Sequence, residues 1–144
     1  MYTCILYITD LDENHFTWCQ NAAKIAKQFN SPLHLLHVIE PPQSLQLAQG
    51  LALAEFDRPL KDDAELVMRT LGEALQIPIS QQWVEIGSIK QHTIDKIKSL
   101  QCDLLIIGQH NPSGLPAFLG SSARDTAKAV SCDVLTFHHQ PNAS

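Results

Sequence analysis

Short apolar runs alternate along the chain with longer stretches in which apolar residues return every three or four positions. TCILYIT, residues 3–9, predicts a first strand. Asp12 is placed to cap a helix on which Phe16, Cys19, Ala23 and Ala26 share one face, and Asn30-Ser31-Pro32 stops it. LHLLHVI, residues 33–39, predicts the second strand, closed by Pro41-Pro42. The segment from Leu45 to Phe56 is apolar on every side of a helical projection, is interrupted by Gly50, and is expected to end at Pro59. A longer helix with Ala64, Met68, Leu71 and Leu75 in line follows, placing Asp62 and Asp63 at its start.

The third strand is expected within Ile77 to Ile86, around Trp83 and Val84. Gly87-Ser88 then turns the chain into a helix that faces inward through Ile89, Thr93, Ile97 and Leu100. DLLIIG, residues 103–108, is the fourth strand, and SSARDTAKAV carries the last helix with Ala123, Ala127 and Val130 aligned. DVLTF is the fifth strand, and HHQPNAS is a polar tail expected to fray.

Strands that are apolar nearly throughout, each followed by a helix, imply a parallel sheet covered on both faces. The fold class is therefore α/β, doubly wound, in one domain spanning residues 1–144. Ligands of such sheets bind beyond the carboxyl ends of the strands, where the strand order reverses. That directs attention to the loop after the first strand, Asp10 to Glu13, and the loop after the fourth, Gly108 to Gly120.

Composition narrows the partners. Ten basic residues against fifteen acidic ones give a net charge of −5, which argues against a dedicated nucleic-acid binder, since neutralising phosphates needs a basic face. The apolar start ends at Asp10, too soon for a membrane span or signal peptide, so neither membrane nor nucleic acid is an expected partner. Cys4, Cys19, Cys102 and Cys132 form no CxxC pair and read as reduced thiols of a cytoplasmic protein. Cys4, Cys102 and Cys132 lie near strand starts and could approach one another; a redox or metal role stands beside the plainer reading of small buried hydrophobes.

YITD at the end of the first strand, LLHV in the second, Gly87, and DLLIIGQH leading to GSSAR follow one another in an order and spacing that resemble the universal stress protein family over nearly the whole chain. The resemblance implies a five-stranded parallel sheet of order 3-2-1-4-5 and homodimers formed through the last strand, here Val134, Leu135, Thr136 and Phe137. Many members bind ATP through a Gly-x2-Gly-x9-Gly-Ser/Thr loop, an aspartate after strand one and a valine at the end of strand two. Carried over, these positions are Asp10, Val38, Gly108, Gly120, Ser121 and Ser122, with His110 and Asn111 inside the loop.

The loop departs from that pattern. Asn111 stands where the second glycine belongs, and Pro112 after it favours an extended backbone there. The spacer before Gly120 is one residue short, and Pro112 and Pro116 remove two N–H donors from a loop that would donate to phosphates. This resembles the branch like universal stress protein A, which lacks the loop and does not bind ATP. The expectation is a non-enzymatic, homodimeric stress-response protein without a cofactor; an ATP- or ADP-binding switch is the alternative, and an unidentified protein partner stays open. Ser121, Ser122 and Arg124 at a helix start would either cap the helix or hold an anion.

Asp10-Leu11-Asp12 also resembles the DxD of haloacid dehalogenase phosphotransferases, which use Mg²⁺, but Glu13 follows where that family has Gly-Thr, and a second acid pair after a strand is missing. Among seven histidines no H-x3-H lies on a helix; His34 and His37 point to opposite faces of a strand, and only His110 sits where ligands would bind. Trp18 and Trp83 fit packing on a helix face and a strand. No catalytic or metal-binding residue is expected.

Overall fold

The structure is a computed structural model that describes residues 1–9, 11, 15–40, 50–109 and 126–138. Its elements are β1 (Ile5–Ile8), α1 (His15–Gln28), β2 (Leu33–Ile39), α2 (Gly50–Leu75), a 3-10 turn (Ile79–Gln81), β3 (Gln82–Ile86), α3 (Ile89–Leu100), β4 (Leu104–Gln109) and β5 (Asp133–His138). Residues 126–129 are helical. The five strands form one parallel sheet in the order β3-β2-β1-β4-β5. β1 and β4 pair at the centre with Ile5 opposite Leu104 and Ile8 opposite Ile107. β3 and β5 are the edges.

Alternation along the strands sends side chains to two separate cores. Ile5, Tyr7, Leu35, Leu104 and Ile106 meet Cys19, Ala22 and Ala26 of α1 and Ala64, Met68 and Leu71 of α2. On the other face Leu6, Leu36, Val38, Leu105 and Ile107 meet Ile97 of α3, with Ala127 and Val130 packed alongside. Both faces being covered explains why β1 and β4 are apolar at consecutive positions. Each fully buried side chain of this size contributes roughly 1.5–3 kcal/mol.

Several boundaries differ from the sequence expectation. β1 and β3 are shorter than the apolar runs that announce them, because Ile79–Gln81 form a 3-10 turn and Thr3 bonds the Asp103 side chain. α1 turns Ala22 into the core and leaves Phe16 42% exposed, so its face is set by Cys19, Ala22 and Ala26. α2 does not end at Pro59 but runs through it, which puts the exposed Asp62 and Asp63 inside the helix. Proline keeps a helical φ and forfeits one hydrogen bond; burial of Ala64, Met68 and Leu71 in the next turns offsets that cost. Of the segment from Leu45 to Phe56, residues 50–56 belong to α2 and the others lie outside the described residues.

α3 begins with Ser88, whose hydroxyl accepts from the Gln91 N–H at 3.2 Å, and ends at Gln101 in the left-handed region with its N–H on the Ile97 carbonyl. Gly87 before it has φ 142°, and a Cβ there would lie 2.9 Å from His92 Nε2, so glycine is needed both for conformation and for space.

The amino edge of the sheet is held by side chains. The Asp103 carboxylate accepts from the Thr3 N–H at 2.9 Å, the Thr3 hydroxyl at 3.0 Å and the Cys4 N–H at 3.1 Å. Tyr2 donates to Asp133 at 2.8 Å, ahead of β5, and the Ser31 hydroxyl donates to the Tyr2 carbonyl. Desolvation pushes the Asp103 carboxyl upward, but the hydrogen bonds from Thr3 and Cys4 outweigh it and hold the group below its ordinary range.

A depressed folded-state value means stability that is complete above the unfolded pKa, near 3.9, and is lost as pH falls through the folded one. Asp103→Asn, which mimics the protonated acid, should therefore cost about 1 kcal/mol at pH 7, discounted for partial exposure. Urea denaturation followed by circular dichroism should show the two proteins converging as the pH falls through the folded-state pKa, below the ordinary carboxylate range.

Candidate functional site

The sheet order reverses on either side of β1 and β4, so the crevice lies beyond their carboxyl ends. β1 leaves the sheet through a tight turn. Thr9, 1% exposed, donates its N–H to the Leu36 carbonyl at 2.9 Å, and its hydroxyl accepts from the Leu11 N–H at 3.0 Å. Leu11 has φ 62°, a left-handed conformation that this hydroxyl-backbone bond supports. His37 Nδ1 lies 2.8 Å from the Thr9 carbonyl, which ties β2 to the same turn.

β4 ends under an indole. A Cβ on Gly108 would lie 2.2 Å from Cε3 of Trp18 on α1, so the ring occupies the space that any side chain would take. Glycine at this position is thus required by packing. Val38 is 6% exposed on the opposite face, within the core shared with Leu36, Ile97 and Ile107. Gly108 and Val38 therefore reach the crevice from different sides of the sheet. Asp10, Asp12, His110, Asn111, Gly120, Ser121, Ser122 and Arg124 lie outside the described residues.

Beyond β2 and β3, Glu40 accepts from the Ile89 N–H at 3.0 Å and so caps α3. His92 brings Nε2 to 3.0 Å from the Ile86 carbonyl and Nδ1 to 3.6 Å from Glu85. Thr93, in the turn that follows, is fully buried, and its hydroxyl has no hydrogen-bond partner among the described residues. His34 points to the other face from His37, where Trp83 Nε1 donates to its Nδ1 at 3.2 Å. Burial, and then the Lys96 charge, lower the pKa of His34, consistent with a neutral ring that accepts that bond. Lys96 lies 3.8 Å from the Trp83 ring centroid, so this tryptophan is engaged in packing and a cation–π contact.

Sequence reasoning brought Val38 and Gly108 to this edge. It missed the Trp18 contact and the Thr9–Leu11 turn. A hydroxyl directly after a buried strand was the available signal for the turn; nothing local to Gly108 announces Trp18, ninety residues away. Among the described residues no group of three or more His, Cys, Asp or Glu is arranged to hold a metal, and no helix is long and apolar enough to cross a membrane.

A family model described as the Universal stress protein family matches residues 1–138. Universal stress protein A homolog 2 of Coxiella burnetii is 28% identical over 136 residues, 93% of this chain and 93% of that protein. A solved structure described as a test case for assigning biochemical function from structure superposes with a TM-score of 0.75 at 22% identity, covering 99% of both chains. A universal stress protein in complex with cAMP gives a TM-score of 0.69 at 17% identity, over 95% of this chain and 97% of that one. At these identities the two structures bear on the fold alone.

Trp18 over Gly108 makes a direct test. Gly108→Ala should lose roughly 1–3 kcal/mol of stability from overpacking. The same substitution in a Trp18→Leu background should cost distinctly less, a coupling that a double-mutant cycle of urea midpoints measures. Equal costs in both backgrounds would refute the packing account of this glycine.

Proposed function

Because the chain belongs to the universal stress protein family, we propose that it is a cytoplasmic, non-enzymatic stress-response protein that works as a homodimer and does not bind ATP tightly. The observation that carries this reading is Asn111-Pro112 in the loop after β4. A triphosphate cradle needs backbone N–H groups turned inward, and Pro112 and Pro116 supply none. Gly108 does not argue otherwise, since Trp18 already accounts for its lack of a side chain. Catalysis by Asp10 and Asp12 would need further metal-binding acids, and Asp62 and Asp63 are exposed in the interior of α2.

A second reading takes up the ligand named for one protein of the same fold, a universal stress protein in complex with cAMP. A cyclic monophosphate places a single phosphodiester in the crevice and asks for fewer donors than a triphosphate. Under this reading Asp10 and Val38 would border the base, and Gly120, Ser121 and Ser122 would receive the anion, with His110 and Asn111 between them and β4 in sequence.

Calorimetric titration separates the two. Mg-ATP should give no saturable heat in the low micromolar range. Saturable binding of Mg-ATP at that level, abolished by Ser121→Ala with Ser122→Ala, would overturn the main reading. Binding of cAMP with silence toward Mg-ATP would favour the second.

Dimerisation is proposed through β5. An exposed apolar edge invites pairing, and two like edges meeting across a two-fold axis close the assembly. Val134, Thr136 and Phe137 are partly covered by their own core, whereas Leu135 is 36% exposed on this edge strand. Sedimentation at micromolar concentration should give a dimer. Leu135→Lys should weaken it by roughly tenfold or more, about 1.4 kcal/mol per tenfold. A wild-type monomer would refute the interface.

A further inference from the structure

At the amino edge, opposite the crevice, two thiols face each other. Cys4 precedes β1 and Cys102 precedes β4, and their sulfurs are 3.0 Å apart. Both residues are buried, 8% and 7% exposed. Their backbones are fixed side by side: the Cys4 carbonyl accepts from the Asp103 N–H at 3.0 Å, and the Asp103 carboxylate accepts from the Cys4 N–H. Cys102 is held from its other side, its N–H donating to the Ile97 carbonyl at the end of α3. A disulfide requires about 2.05 Å between sulfurs. The remaining approach is on the order of 1 Å, within the reach of side-chain rotation while the strands stay in place.

We propose that Cys4 and Cys102 are a redox-active dithiol that a hydroperoxide closes to an intramolecular disulfide, stapling β1 to β4. One sulfur attacks a peroxide oxygen, breaking the O–O bond and giving a sulfenic acid and water from hydrogen peroxide. The second sulfur attacks the first, forming the S–S bond and releasing another water. Two thiols thus give two electrons and two protons to one peroxide.

Chemistry at this position favours a dithiol over a metal site. Cys132 lies at the same edge and is half-buried, yet the described residues assemble no set of three metal-ligating side chains here. Burial, followed by the hydrogen bond to Cys4, pushes the Cys102 thiol well above its ordinary value. Thiolate is the reacting form, so closure is slow beside that of an exposed thiol and needs sustained oxidant. Cys19 is buried in the other core, its thiol pushed up to about 12 by desolvation, and serves as an internal control.

The test exposes the full chain to hydrogen peroxide for hours, blocks remaining thiols with a maleimide in denaturant, and maps the protein without reduction. The expected result is loss of two of the four thiols, a peptide pair joining Cys4 to Cys102, and full reversal by dithiothreitol. Because the bridge closes a loop across a sequence separation of 98, the unfolded oxidised chain should migrate faster in a non-reducing gel. Oxidation should also raise Tm by about 10 °C. Cys19→Ala with Cys132→Ala should keep the bridge, and Cys102→Ser should abolish it. Four blockable thiols after a treatment that oxidises glutathione, a bridge through Cys19 or Cys132, or linkage only between chains would each overturn the proposal. The wild-type map decides the matter even where a variant folds poorly.

Discussion

Everything in this fold hangs on the pairing of β1 with β4. β1 is the middle strand and β4 its neighbour, about a hundred residues away in sequence, and their parallel register joins β1, β2 and β3 to β4 and β5. Closing so long a loop costs entropy before any contact rewards it. A slip of one residue would send Ile5 and Tyr7 into the wrong core and carry Gly108 out from under Trp18. Asp103 opposes the slip. Its carboxylate reads three donors on Thr3 and Cys4, a geometry satisfied in only one register. The hydrogen bonds are individually modest, yet they act where an error would misplace every side chain of the central pair.

The carboxyl edge inherits its shape from that register. With Ile8 opposite Ile107, β1 ends beside Gly108, and the Thr9–Leu11 turn lies next to the last residues of β4. Trp18 comes from α1 because Cys19, Ala22 and Ala26 fix which way that helix faces. The small residues bring the helix close to the sheet, and the indole fills the room left at the top. A glycine that looks like part of a phosphate loop is thus also the floor of a packing contact. The two roles are physically compatible, so the identity of Gly108 by itself does not identify a ligand.

The class of fold was legible because parallel strands covered on both faces leave an apolar run that survives any choice of partner. LHLLHVI reads as β2 to the residue, and the inward faces of α2 and α3 follow from their 3.6-residue period. What sequence could not supply was long-range. Pro59 looks like a helix end when only local cost is counted, and it is passed over because burial beyond it is worth more. Phe16 looks like a core residue, but α1 packs through Cys19, Ala22 and Ala26 and leaves Phe16 outside. At the site, Val38 and Gly108 could be brought to one edge from strand positions alone; Trp18 above the glycine belongs to a contact between distant segments. Cys4 and Cys102 were foreseeable only as strand starts in a parallel sheet, since the strand order and register decide that these two, on neighbouring strands, should touch.

The two ends of the central ladder differ in what they can do. Between Cys4–Cys102 and the Thr9 turn run four consecutive paired positions, Ile5 to Ile8 against Leu104 to Ile107, all but Ile8 buried. Such a segment is close-packed and does not bend continuously under a small displacement at one end. Moving two sulfurs together by about 1 Å is absorbed by side-chain torsions before it can be passed along the strands. A covalent bridge at the amino edge would therefore leave the crevice its shape. Its effect would fall on the separation of β1 from β4 during opening, because the bridged unfolded chain has less entropy to gain. Oxidation would in this way act on how long the fold persists and leave the register of the carboxyl edge unchanged.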